Sequence, residues 1–304
     1  MKKKPLRTRK LVLRAVLSLL GPCAAAPALA GPAPCDARLA AAIPARSSAA
    51  PTGSEFVRRV AGLGDDARES AILDQFAAGN VPQFLRRLAP VLLDARLPGD
   101  RRAQVVICVA PDYLAIGSDD DYFLAPMRLE TALTVARRFG FVLPTRKMVD
   151  AVYAQSGVHL QPQPLPAGDA MRSTAYYWQH NRLVREQRAA AGAPLGTLTA
   201  GDKKDLVLTN RLWRMQDRVA IYGWHLPGGR AIQPLSTVHG WRYADYSHGV
   251  RLVADTAYVD GTAEPILGAL GSDRFAALFS DEGPIPQLAG LIDMLEKRAP
   301  PAGL

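Results

Sequence analysis

Five histidines occur in the 304 residues, and three of them, His225, His239 and His248, fall within the stretch Tyr222–Val253. Three of the four tryptophans, Trp213, Trp224 and Trp241, crowd nearly the same interval. Histidine is the side chain most easily set to move a proton near neutral pH. His239 and His248 are each followed by glycine, which lets the backbone turn sharply and leaves the imidazole at a sheet's rim. Asp245, Tyr246 and Ser247 precede His248, so a carboxylate and two hydroxyls lie close in sequence.

Three chemistries fit these residues. In the first, His239, His248 and Asp245 carry general acid–base chemistry, with His225 assisting and Arg251 or Lys204 holding an anion. In the second, His225, His239 and His248 hold a divalent metal such as zinc, with Asp245 behind them, and activate water. The reading preferred on sequence is metal-free, without a cofactor. A Ser247 nucleophile is least favoured, because neighbours on a strand face opposite ways. The plain alternative is that the histidines and aromatics fill the core and edges of a sheet.

Substrate contacts are expected from Trp224, Trp241, Tyr246, Lys204 and His180. Aromatic faces stack on sugar rings and amides bond their hydroxyls, so Tyr176–Asn181 suits a glycan or peptide groove, or equally a helix with one buried aromatic face. Lys203-Lys204, flanked by Asp202 and Asp205, reads as a solvated turn. The run Asp119–Asp121 reads as a solvated acidic turn, because it lacks the calcium-loop spacing.

Common motifs fail. Gly62–Ala67 matches a dinucleotide fingerprint but follows a helical pattern rather than a strand. Gly196–Gly201 has P-loop spacing with Asp202 where the lysine belongs. HExxH, GxSxG, SxxK and CxxC are absent.

The run Val238-His239-Gly240, followed by Ser247-His248-Gly249-Val250-Arg251-Leu252, resembles the signature of L,D-transpeptidases, secreted enzymes that crosslink peptidoglycan stems. The catalytic cysteine of that signature is missing, and the two halves lie close together. The resemblance spans some fifteen residues and implies a site at His239, His248 and Arg251. The runs PDYLAIGSDDDYF, LPTRKMVDAVY, GDKKDLVL and YADYSHGVRLV resemble a family of secreted bacterial proteins of unassigned function over most of residues 80–253.

The formal charge of +9 points toward nucleic acid until it is located. Residues 1–30 carry seven Lys and Arg and no acid, which leaves 30 basic against 28 acidic residues beyond them. That near-neutral body gives no reason to expect nucleic acid. A basic start, an apolar run and Ala28-Leu29-Ala30 predict a signal peptide over 1–30 and an exported, periplasmic or secreted protein. No later run is long enough for a membrane span. Export predicts a disulfide between Cys35 and Cys108, with a buried free thiol at Cys108 as the alternative.

Residues 31–53, rich in Ala, Pro and Ser, read as a flexible lead-in, and 54–304 as one α+β domain. Helical periodicity runs through 54–195, including Pro82–Leu93, Arg128–Phe139, Arg146–Gln155 and Tyr176–Ala191, with one strand at Gln104–Ala110 that 113–117 extends. The part 196–260 is strand-rich, with a turn at Pro227-Gly228-Gly229, and short helices fill 261–300. The expected fold is a helical N-terminal half packed on a mostly antiparallel sheet from the C-terminal half. The expected function is a monomeric hydrolase or transferase acting on a cell-envelope polymer or peptide. The alternative is a non-enzymatic periplasmic binding or scaffold protein that uses its Trp/Tyr-rich block.

Overall fold

The computed structural model describes residues 35–97 and 99–301. Helix α1 (Gly53–Val60) begins at a capping box, in which the Thr52 hydroxyl accepts the Glu55 N–H and the Glu55 carboxylate accepts the Thr52 N–H. With α2 (Asp65–Ala77) it buries Phe56, Val57, Val60, Ile72, Leu73 and Phe76 along one side, while Leu63, spaced with them in sequence, is exposed.

Pro82–Leu93, expected as a helix, is a correction. Strand β1 (Ala89–Leu97) pairs antiparallel with β2 (Arg101–Val109), Leu93 opposite Val105. Val91, Leu93, Ala95 and Leu97 are buried while Leu92, Asp94 and Arg96 are exposed, the period of a half-buried strand. Apolar spacing before Leu93 fits either period, and pairing with β2 decides it.

Helix α3 (Leu129–Arg138) follows the hairpin of β3 (Ala115–Gly117) and β4 (Tyr122–Leu124), a sheet separate from β2 rather than its extension. Strand β5 (Phe141–Val142) leads into α4 (Arg146–Gln155), capped by the Thr145 hydroxyl on the Met148 N–H. Strand β6 (Val158–His159) precedes α5 (Thr174–Ala190) and pairs parallel with β7 (Thr199–Ala200). The four-stranded sheet β10 (Ala231–Ser236), β9 (Ile221–His225), β8 (Lys204–Leu206), β11 (His248–Gly249) then forms, with β8 and β11 parallel. Strands β12 (Val253–Ala254), β13 (Thr256–Val259) and β14 (Thr262–Pro265) complete the main sheet in the order β14-β13-β2-β12-β5, with β1 on β2. Helices α6 (Ile266–Leu270), α7 (Ala276–Phe279) and α8 (Leu288–Glu296) close the chain.

The fold is a mixed α+β architecture with mostly antiparallel sheets. The main sheet draws its longest strands, β1 and β2, from the half expected to be helical, so helices and sheet are not divided between the two halves. Residues 35–53 are also corrected. Cys35 is bonded to Cys108 of β2, Ala40 and Ile43 are buried, and Arg86 donates to the carbonyls of Ile43 and Pro44 at 2.9 and 2.8 Å. A covalent tether plus those bonds packs a segment whose composition alone suggested freedom. The segment 1–30, read as a signal peptide, lies outside the described residues. Among those described, no helix is long and apolar enough to cross a membrane.

Candidate functional site

Parallel pairing of β8 with β11 sets His248 opposite Lys204 and Gly249 opposite Asp205. Only glycine fits at 249, since a Cβ there would come within 2.6 Å of the Tyr113 ring. The loop before β11 is folded by Asp245. Its Oδ1 accepts from the Ser247 N–H at 2.8 Å and from the Ser247 hydroxyl, and its Oδ2 accepts from the Tyr243 hydroxyl at 2.9 Å. This side-chain-to-backbone turn is a typical use of aspartate. Tyr243 joins the two histidines: His239 stacks flat on its ring at 3.9 Å and 9°, and His248 meets it edge-on at 5.7 Å.

His248 is 1% exposed, and neither ring nitrogen has a hydrogen-bond partner among the described residues. Burial lowers its pKa to about 4, aided by the charges of Lys204 and His239 and opposed by Asp245. Burial opposes ionisation of Asp245, but His248, Lys204 and the Ser247 bonds outweigh it and hold the carboxyl near 2. His239 is half-buried and also shifted down, by burial. The Lys204 ammonium lies 4.9 Å from the Trp224 ring centroid, without an ion pair or hydrogen bond among the described residues. Burial lowers its pKa as well. Trp224 itself sits at φ 55°, a left-handed conformation that costs a bulky residue energy. A neutral imidazole, an ionised aspartate and an unpaired ammonium thus share one neighbourhood.

Other expected residues stand elsewhere or act differently. Asp245 does not orient the His248 ring: its oxygens accept from Ser247 and Tyr243, and neither His248 nitrogen has a partner among the described residues. The same bond occupies the Ser247 hydroxyl. His225 belongs to a second cluster: its Nε2 meets Asp150 at 3.2 Å, and its ring stacks on Tyr153 at 4.4 Å. Among the described residues no group of three His, Cys, Asp or Glu side chains could hold a metal ion, so His225, His239 and His248 do not form the metal set considered above.

Arg251 is 1% exposed and donates to the carbonyls of Ala110 and Thr199 at 2.8 and 2.7 Å, with its guanidinium over Tyr113. It clamps backbone rather than a substrate anion. Trp224, Tyr246 and His180 are buried, so they do not present the expected contact surface. Tyr246 bonds Leu165 through its hydroxyl, and His180 meets the Lys203 ammonium at 3.1 Å. Trp241 is half-buried between the guanidiniums of Arg242 and Arg298, at 5.3 and 5.4 Å. The run Asp119–Asp121 ties down neighbouring segments, with Asp119 accepting the Phe84 N–H and Asp121 the Ser54 N–H and hydroxyl.

Residues 202–205 are the largest departure. The solvated turn expected there is buried: Asp202 and Lys203 are 0% exposed and Asp205 is 2%. Lys203 donates to the Tyr246 carbonyl at 2.7 Å, and burial pushes its pKa down while pushing Asp202 and Asp205 up. Asp205 accepts from the Tyr113 hydroxyl at 2.9 Å, and Asp112 pairs with Arg188 at 3.2 Å. The available signal was the flanking sequence, Leu198-Thr199-Ala200 and Leu206-Val207-Leu208, which brackets these charges with apolar residues. Tyr243 lay in the histidine block but carried no spacing signal of its own. No protein-family model, curated protein or solved structure matches this chain.

Proposed function

We propose that the protein is an exported hydrolase or transferase acting on a cell-envelope polymer, peptidoglycan or a related one, with His248 as its general base. The observation that carries this reading is the enclosed His248 imidazole, neutral above about pH 4 and with both nitrogens unpartnered among the described residues. Buried polar groups without partners are uncommon and concentrate where chemistry is done. Water or a substrate hydroxyl that reaches the ring gives up its proton there and attacks a carbonyl. Lys204 opposes the negative charge that develops, and the protonated imidazole returns its proton to the leaving group. At 1% exposure the ring is reached only when side chains packed around it move aside.

The polymer class rests on the L,D-transpeptidase-like run 247–252, and export on residues 1–30 and the cysteine pair. Burial of Trp224 and Tyr246 leaves a non-enzymatic recognition surface little of the aromatic block to use. The test is incubation of the mature protein and a His248→Ala variant with sacculi. Soluble fragments released by the first and not by the second are expected. Equal release, or none from either, ends this reading.

A further inference from the structure

A cavity of about 410 Å³ opens between the turn 210–215, which follows β8, and the loop that leads into α8. Trp213, Met215, Pro284 and Pro286 supply its apolar lining, and Asn210, Arg211 and Arg214 the polar part. Its Met215 wall is tied to the histidine segment. The Met215 sulfur accepts the Thr237 hydroxyl at 3.2 Å, and Arg218 donates to the Val238 carbonyl at 2.8 Å. The Val219 N–H donates to the His239 carbonyl at 3.1 Å, so residues 215–219 run beside the segment that carries His239.

Among the described residues, no carboxylate lines this cavity. Arg211 meets Glu282 at 3.5 Å and donates to the Leu235 carbonyl at 3.0 Å, so its charge is offset. The exposed Arg214 side chain has no hydrogen bond or ion pair among the described residues. Along the same turn, Arg218 meets Asp217 at 3.5 Å, and Arg298 donates to the Gln216 carbonyl at 2.6 Å without an ion pair among the described residues. Four guanidiniums, of Arg211, Arg214, Arg218 and Arg298, therefore stand against two carboxylates, of Glu282 and Asp217. Neighbouring Asp281 is already held by Arg146 at 2.6 Å. The Asn210 amide N–H is also committed, to the Glu282 carbonyl at 2.6 Å. Arg214 is thus the uncompensated cation of the lining.

We infer that this cavity is a subsite for an anionic glycan strand, with a sugar ring against Trp213 and the sugar's carboxylate on Arg214. The C–H faces of a pyranose pack on indole, proline and methionine surfaces, which are the apolar lining here. A guanidinium fork matches a carboxylate in shape and in charge. An extended peptide would need main-chain partners, and Pro284 and Pro286 have no N–H to give. A strand held in the cavity continues past Met215 toward the segment of His239. The inference deepens the envelope reading and rests on it for the identity of the polymer.

The test is calorimetric titration of the full mature chain with three probes. The first is a tetrasaccharide of alternating N-acetylglucosamine and N-acetylmuramic acid with free carboxylates. The others are chitotetraose, which has the same backbone without carboxylates, and tetraglutamate. The acidic tetrasaccharide should bind saturably and the other two at least about tenfold more weakly, the scale of one charge-assisted hydrogen bond. Arg214→Gln, at an exposed side chain, should bring the acidic tetrasaccharide down to the affinity of chitotetraose with its thermal melt unchanged. Trp213→Leu, titrated in its folded form, should weaken both saccharides. Equal binding of the two saccharides, tighter binding of tetraglutamate, no saturable binding of the acidic tetrasaccharide, or an unaffected variant would each overturn the subsite. Fragment release from sacculi without tetrasaccharide binding removes the subsite and keeps the envelope hydrolase. Binding without release keeps the glycan subsite and removes the hydrolase.

Discussion

Tyr243 gives its phenolic hydrogen to Oδ2 of Asp245 at 2.9 Å, while neither ring nitrogen of His248 bonds that carboxylate. Asp245 therefore works on the chain, shaping the turn that presents His248. Asp245→Asn places an NH2 group where an acceptor is needed. A loss on the order of 1–3 kcal/mol in urea unfolding is expected, because a buried polar contact is broken. The same change removes a negative charge near His248 and should lower its pKa further. Unchanged stability together with an unchanged His248 titration would contradict this role.

His248 should titrate near pH 4 by NMR of its ring. The folded pKa is depressed below the ordinary 6.5, so its share of folding stability is complete above 6.5 and is lost as pH falls toward 4. Any activity that uses the neutral ring should follow the same acid limb, rising through about pH 4. A limb centred at 6.5 would assign the proton transfer to another group.

Arg251→Met removes two hydrogen bonds to the carbonyls of Ala110 and Thr199 and leaves Asp205 less compensated, its carboxylate lying 4.0 Å from Arg251 Nε. Breaking a buried charge arrangement from one side costs about 3–5 kcal/mol. The denaturation midpoint should fall accordingly, while the affinity of the folded fraction for an anionic ligand stays as it was. Loss of affinity with stability retained would restore Arg251 as a substrate contact.

The Cys35–Cys108 bridge closes a sequence separation of 73 residues. Chain-entropy arguments put its stabilisation at about 4 kcal/mol at most. Reduction, or Cys35→Ala with Cys108→Ala, should lower stability by up to that amount and loosen residues 35–53, as read by hydrogen exchange. Exchange in that segment identical to the oxidised protein would show that Arg86 and the buried Ile43 hold it unaided.

Local signals were read well. Helix α4 runs over Arg146–Gln155 as expected, Pro227-Gly228-Gly229 turns β9 into β10, and the cysteine pair is bonded. Caps, turns and short periodicities depend on residues within a few positions of one another, so composition and spacing carry them. The α+β class followed from those elements.

Tertiary pairing decided the rest. The 89–97 segment became a strand because β2 lies beside it, and a helical spacing of apolar residues could not reveal that partner. The charges at 202–205 went inside because β8 pairs with β11, with Tyr113, His180 and Tyr246 supplying partners from distant segments. The three clustered histidines were separated by the same sheet: β9 carried His225 to Asp150 and Tyr153, while the 243–249 turn brought His239 and His248 together on Tyr243. Sequence alone named the histidines, but which of them share a site depends on hydrogen bonds between strands far apart in the chain, and those form only when the whole core assembles.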